Sequence, residues 1–61
     1  MFTCDLCGVE LKKSRIDGKT IHGPWANMCP MCHLQFGVGF GTGKGQKFDL
    51  QKDGTWKKVQ G

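Results

Sequence analysis

Two C-x-x-C pairs are the residues of this 61-residue chain whose types and spacing can do chemistry. Cys4 and Cys7 form the first pair, and Cys29 and Cys32 form the second. Each pair can form a tight knuckle around a metal ion, and two facing knuckles place four thiolates in a tetrahedron. The stretch between the pairs slightly exceeds the usual ~15–20 residues, which a hairpin accommodates. The pattern predicts one structural Zn²⁺ bound by all four cysteines, with iron in the same sulfurs as a minor alternative.

The composition explains why the chain needs such a metal. Only 38% of the residues are apolar and ten are glycines, so residues 1–61 form one domain with a small core. Below roughly 70–80 residues, a hydrophobic core alone rarely supplies more than a few kcal/mol. A structural zinc ion adds about 10–16 kcal/mol of apparent binding free energy, which becomes folding free energy. We therefore expect folding to require the metal.

Disulfides are the rival way to stabilise the chain. Cysteines three positions apart can be bridged only in a strained loop, which disfavours bonds within either pair. Cross-pairings remain open in an oxidising compartment. The first residues show no signal peptide, and no apolar run is long enough to span a membrane. We therefore expect a cytoplasmic protein without membrane association, in which thiolates and metal prevail over disulfides.

The elements that must position the cysteines are predicted to be two β-hairpins. Asp17-Gly18 lies between the β-compatible runs 13–16 and 19–22. Asp53-Gly54 lies in the same way between two runs near the C-terminus. Asp-Gly between such runs is a strong hairpin signal, because both residues tolerate the positive φ of a tight turn.

The register expected for the second hairpin decides where its aromatic residues lie. A two-residue turn at Asp53-Gly54 would pair Phe48 with Val59 on the core face. It would place Trp56 on the opposite, exposed face. Residues 32–36 are expected to form at most one short helical turn, which ends at Gly37. The sequence thus predicts a small zinc-stabilised β fold.

Glycine occupies every second position from 37 to 45. This period fits a strand with one bare face or a flexible loop. The run is not a P-loop, because Val38 and Gly45 stand where that motif requires glycine and Ser or Thr. A looser cradle of backbone amides for phosphate, with Lys44 and Lys47 beside it, stays open.

Basic residues supply the candidate contacts to a partner. The formal net charge of +4 falls to about +2 once four thiolates and one Zn²⁺ are counted, so the basic character is mild. Such a charge permits binding to nucleic acid without demanding it. The candidate contact residues lie on the first hairpin, beside the glycine run and on the second hairpin: Lys12, Lys13, Arg15, Lys19, Lys44, Lys47 and Trp56.

Catalysis finds little support in this sequence. A closed site of four cysteines leaves no open coordination position for water, and the carboxylates show no paired arrangement. His22 and His33 are expected to lie outside the metal site, because four thiolates already fill a tetrahedron. We therefore predict a protein that is not an enzyme.

The knuckles Cys4-x-x-Cys7-Gly8 and Cys29-Pro30-x-Cys32 resemble those of zinc ribbons and rubredoxins, except that His33 replaces the usual glycine. The stretches MCPMCH and FGVGFGTGKGQ also resemble small zinc-ribbon proteins of tailed bacteriophages, which would place this protein in a host cytoplasm. The zinc-ribbon resemblance implies a role in binding nucleic acid or a transcription complex. A protein-interaction module that modulates a host enzyme and a rubredoxin-like electron carrier are the alternatives. Neither the residues nor the resemblance specifies an oligomeric state.

Overall fold

Two antiparallel sheets and one short helix make up the fold. The computed structural model describes residues 2–61. The strands are β1 (Phe2–Thr3), β2 (Glu10–Leu11), β3 (Ser14–Lys19), β4 (Trp25–Met28), β5 (Gly45–Leu50) and β6 (Trp56–Gln60), and the helix α1 is Pro30–Phe36. Strands β1 and β2 pair in a small sheet, and the larger sheet has the order β4-β3-β5-β6. The predicted fold class, a small β domain around clustered cysteines, is confirmed.

The first hairpin exists, but its turn is not where the sequence predicts it. Strand β3 runs through Asp17 and Gly18, and the chain reverses between Thr20 and Pro24 instead. Both the amide and the hydroxyl of Thr20 donate to the carbonyl of Pro24, at 3.0 and 2.9 Å. The buried Thr20 thereby closes the turn.

Gly18 explains why a local turn signal lies inside a strand. It pairs with Gly45 of β5, and a Cβ at Gly18 would lie 3.1 Å from the carbonyl oxygen of Lys44 and 3.2 Å from the Cα of Gly45. A Cβ at these distances would force one of the backbones to shift by a few tenths of an ångström, so the close approach favours a residue without a side chain. Strand β3 is therefore central, with β4 on one side and β5 on the other.

The second hairpin forms with a register one residue away from the prediction. The amide of Gln51 donates to the carbonyl of Thr55 at 2.7 Å, so the loop contains three residues instead of two. The carboxylate of Asp53 holds this wider loop by accepting from both the amide and the hydroxyl of Thr55. As a result Trp56 pairs with Leu50. The prediction that Trp56 is exposed on the face opposite the core was wrong, because Trp56 is half-buried against the core.

Helix α1 is longer than the turn expected from the sequence. It begins at Pro30, whose fixed φ suits a first helical position, and ends before Gly37. The glycine run that follows is a loop, with positive φ at Gly39, Gly41 and Gly43. The interpretation of this run as a regular strand is thus wrong.

The core forms where α1, the first C-x-x-C pair and the small sheet pack against the larger sheet. Its buried apolar residues are few, namely Cys4, Leu11, Ile16, Met28 and Cys32. Two of these five are cysteines of the predicted metal site, so the core and the site are one unit.

Replacement of Gly18 tests the close approach of β3 and β5. We expect Gly18→Val to lower the free energy of unfolding by roughly 1–3 kcal/mol, because the new side chain meets the backbone of β5. Urea unfolding of the metal-loaded protein measures this change. Lys19→Ala, at an exposed position of the same strand, should change stability by less than about 0.5 kcal/mol. Equal stability of the valine variant and the native protein would contradict the role given to Gly18.

Candidate metal centre

The first knuckle comes from the loop that joins β1 to β2. The amide of Cys4 donates to the carbonyl of Val9, and the amide of Gly8 donates to the carbonyl of Cys4, both at 2.8 Å. Gly8 has φ of +82°, as expected for the glycine that follows a C-x-x-C pair. The amide of Cys7 points at the Sγ of Cys4, at 3.5 Å.

The second knuckle is the beginning of helix α1. Cys29 is the N-cap residue, and its Sγ accepts from the amide of Cys32 at 3.4 Å. Cys32 lies in the first turn of the helix, where side chains tilt toward the N-terminus, so its side chain points back toward the N-cap. The helix thus fixes the separation of both sulfurs in this pair.

Asp5 joins the first knuckle to the larger sheet, a role that the sequence analysis missed. Its amide donates to the carbonyl of Asn27 at 2.8 Å, and its carboxylate accepts from the amide of Asn27 at 2.9 Å. Asn27 lies in β4, two residues before Cys29. These two hydrogen bonds therefore place the knuckles opposite one another. An acidic residue between paired cysteines was the only available signal.

The four cysteine sulfurs lie within 4.8 Å of one another, and the Sγ atoms of Cys7 and Cys29 are 3.8 Å apart. Metal–sulfur bonds of about 2.3 Å in a tetrahedron separate the sulfurs by about 3.8 Å. All four cysteines are free thiols in the structure. They are positioned to bind a metal ion, as predicted.

Charge repulsion also favours a cation at this position. Burial raises the pKa of Cys4, but backbone hydrogen bonds from both knuckles outweigh it and lower the pKa to about 6. Burial raises the pKa of Cys32, and the neighbouring thiols raise it further. One thiolate therefore forms readily at neutral pH, whereas four thiolates so close together need a compensating positive charge.

Neither histidine belongs to the cysteine cluster. The Nε2 of His33 lies 3.0 Å from the carbonyl oxygen of Gly39, and its ring packs on Phe40 at 4.4 Å between centroids. A Cβ at Gly37 would collide with the His33 ring. His33 therefore connects α1 to the glycine loop, while His22 is exposed near Phe36.

Arg15 differs most from the expectation of a solvated basic residue. Its guanidinium lies over the rings of Phe2 and Phe48, at 4.2 and 4.4 Å, and 5.1 Å from that of Trp56. Its Nη1 also donates to the side-chain carbonyl of Asn27, at 3.3 Å. The side chain is half-buried, so it offers a partner only part of its charge.

The remaining candidate contact residues do not form one patch. Lys12 and Lys13 are exposed between β2 and β3, near the second knuckle. Lys19 and Lys44 are neighbours, because the amide of Lys19 donates to the carbonyl of Lys44 at 2.8 Å. Lys47 lies on the helix side of the sheet, beside α1.

Trp25, which was not among the predicted contact residues, is the more exposed of the two tryptophans. It pairs with Lys19 across β3 and β4 and is 51% exposed. Only the true register of the two hairpins distinguishes the exposed tryptophan from the packed one.

Comparisons of this chain with protein-family models, with curated proteins and with solved structures found no match. The resemblance to phage proteins therefore gains no support from them. The cysteine geometry is that of a zinc-ribbon-like small domain. In the described residues, no helix has the length and apolar character needed to cross a bilayer.

Loss of one cysteine should unfold the protein. We expect Cys29→Ser to abolish stoichiometric metal binding and to collapse the dispersion of the amide NMR spectrum, because the buried core includes the site. Serine is itself a good N-cap, so this variant removes the sulfur and leaves the start of α1 intact. Val9→Ser, at an exposed position of the first knuckle, is the control and should stay folded with one metal. A folded, metal-free Cys29→Ser protein would refute this account.

His33→Ala tests whether this histidine is structural. We expect native mass spectrometry to find one metal ion per chain, as in the unmodified protein, because the ring lies outside the cysteine cluster. The free energy of unfolding should fall by roughly 1–2 kcal/mol, because the contacts to Gly39 and Phe40 are lost. Loss of the metal in this variant would show that the ligand set is wrong.

Proposed function

We propose that the protein is a non-catalytic module, stabilised by one zinc ion, that binds single-stranded nucleic acid on one face of its larger sheet. Zinc is favoured because four thiolates in a closed tetrahedron form its usual structural site. A reducing cytoplasm would keep the thiols available for it. Native mass spectrometry identifies the metal, and a red protein with visible absorption would indicate iron instead.

The observation that carries the proposal is an exposed tryptophan beside a lysine on the side of the sheet away from α1. We call this surface the open sheet face and define it by Arg15, Lys19, Trp25, Phe48 and Lys58. The cross-strand pairs Lys19–Trp25, Arg15–Phe48 and Phe48–Lys58 place these side chains on one side. Ile16 and Met28 point to the other side, into the core.

The chemistry of the open sheet face suits an unpaired strand. Aromatic rings stack on bases of any sequence, and lysines at the rim attract phosphates. Arg15 and Lys19 are four residues apart in β3, which separates the two basic ends by about 13 Å. Asp17 lies between them on the same side, so phosphates are expected at the ends and uncharged bases in the middle. A four-stranded sheet is too broad for the major groove of a duplex, which admits an α-helix or a two-stranded ribbon.

Binding of nucleic acid is measured by the fluorescence anisotropy of labelled twelve-nucleotide single strands of mixed DNA or RNA sequence. We expect binding at about 20 mM salt that weakens steeply toward 200 mM, because released counterions drive association. Lys19→Gln should reduce the salt slope by roughly one if Lys19 contacts a phosphate.

The decisive variant is Trp25→Ala, which should cost about 1–3 kcal/mol of binding free energy if the ring stacks on a base. Val9→Ala, also about half exposed but on the first knuckle, is the matched control and should bind normally. Equal affinity of the two variants would remove Trp25 from the interface. Absence of binding at low salt would leave a protein-interaction module as the leading function.

A further inference from the structure

A groove lies on the helix side of the larger sheet, away from the open sheet face. Its volume is ≈ 320 Å³. The lining is apolar except at its rim: Ile16, Pro30, Met31, His33, Leu34, Phe40, Lys47 and Gln60. We call it the helix groove.

Two large side chains on α1 are left in solvent beside this groove. Met31 is 64% exposed and Leu34 is 79% exposed, and the two lie three positions apart on the same face of the helix. The buried Ile16 and the half-buried Phe40 form the other apolar walls. The helix groove is thus an apolar surface that the chain leaves exposed, although its own core is small.

The free edge of the sheet borders the helix groove. Strand β6 is the outermost strand, and within residues 2–61 no other strand pairs with its outer side. Gln60 of β6 also lines the helix groove, so the free edge and the groove form one continuous surface. A strand added to β6 would continue the sheet, and every second side chain of that strand would point to the helix side.

The charges on this surface select the occupant. Lys47 is the one lysine or arginine that lines the groove, which has no carboxylate in its lining. Lys57 and Lys58 are exposed on β6 itself. Lys57 lies on the helix side, across from Asp49, and Lys58 lies on the open sheet face. Lysines at an edge oppose the pairing of two identical strands, because a second copy of β6 would bring like charges together. The same lysines attract a strand that carries carboxylates.

We propose that the helix groove and the β6 edge dock an acidic, extended peptide segment of a partner protein. The backbone of the segment pairs with β6, its carboxylates face Lys47 and Lys57, and one apolar side chain enters the groove against Met31 and Leu34. This interface uses the opposite side of the sheet from the open sheet face. It is therefore independent of nucleic-acid binding.

The probe for this interface is a fluorescein-labelled decapeptide in which glutamate alternates with threonine around one central leucine. Two control peptides replace the leucine with serine or every glutamate with lysine. Anisotropy titrations of the metal-loaded protein should show binding of the first peptide, with both controls weaker by roughly fivefold or more.

Leu34→Ala should weaken the affinity for the leucine peptide by roughly fivefold to tenfold, because much of the apolar wall of the groove is lost. Ile21→Ala, at another exposed apolar position outside the groove, is the matched control and should bind like the unmodified protein. Hydrogen exchange should slow at the amides of β6 when the peptide binds.

The proposal would be overturned by absence of peptide binding, by affinity that does not depend on the central leucine, or by slowed exchange at Lys19 and Trp25 instead of β6. A dimer seen by sedimentation without peptide and abolished by Leu34→Ala would assign the groove to a second copy and would also overturn it.

Discussion

The fold depends on the meeting of four thiols from two distant parts of the chain. Thiolates at the observed spacing repel one another, so a cation among them converts the main electrostatic cost of this fold into a stabilising interaction. Cys4 and Cys32 are also core residues, in contact with Ile16 and Met28 in the same buried cluster. Loss of the metal would therefore remove part of the core as well as a crosslink.

A second interaction connects the small sheet to the large one. The guanidinium of Arg15 lies in a cage made by Phe2 of β1, Phe48 of β5 and Trp56 of β6. Its Nε is buried without a hydrogen-bond acceptor, so the ring faces supply much of its electrostatic compensation. Arginine is suited to this position, because a planar cation stacks on rings better than the compact ammonium of lysine. The basic residue that the sequence offered as a partner contact thus contributes first to the packing of the domain.

The larger sheet separates two surfaces of different character. One side carries the exposed Trp25 and Lys19, together with Arg15, which lies against Phe2 of β1. The other side carries α1, the apolar helix groove and Lys47. A metal ion bound by the four cysteines would supply the stability that a larger core otherwise provides, which would leave both surfaces of so small a domain available. Apolar residues such as Leu34 are then free to remain at the surface.

The sequence alone determined the cysteine site and the general class of the fold. The geometry of a C-x-x-C pair is determined locally, because the two intervening residues permit a knuckle regardless of the rest of the chain. The helix was predicted only in part, because the turn expected over residues 32–36 lies within α1 and the start at Pro30 was not predicted. The second hairpin was also predicted, but its register depends on whether Asp53 holds a two-residue or a three-residue loop. That choice is made by two hydrogen bonds to Thr55, and it decides which tryptophan is packed.

Tertiary structure decided the rest. Asp17-Gly18 has the local signature of a turn, yet the close approach of Gly45 across the sheet favours glycine at this position in the middle of a strand. The exposure of Trp25, the enclosure of Arg15 and the open edge of β6 all depend on strand order. Pairing between β3 and β5 joins residues about thirty positions apart, and no local preference encodes which strands come to lie beside one another.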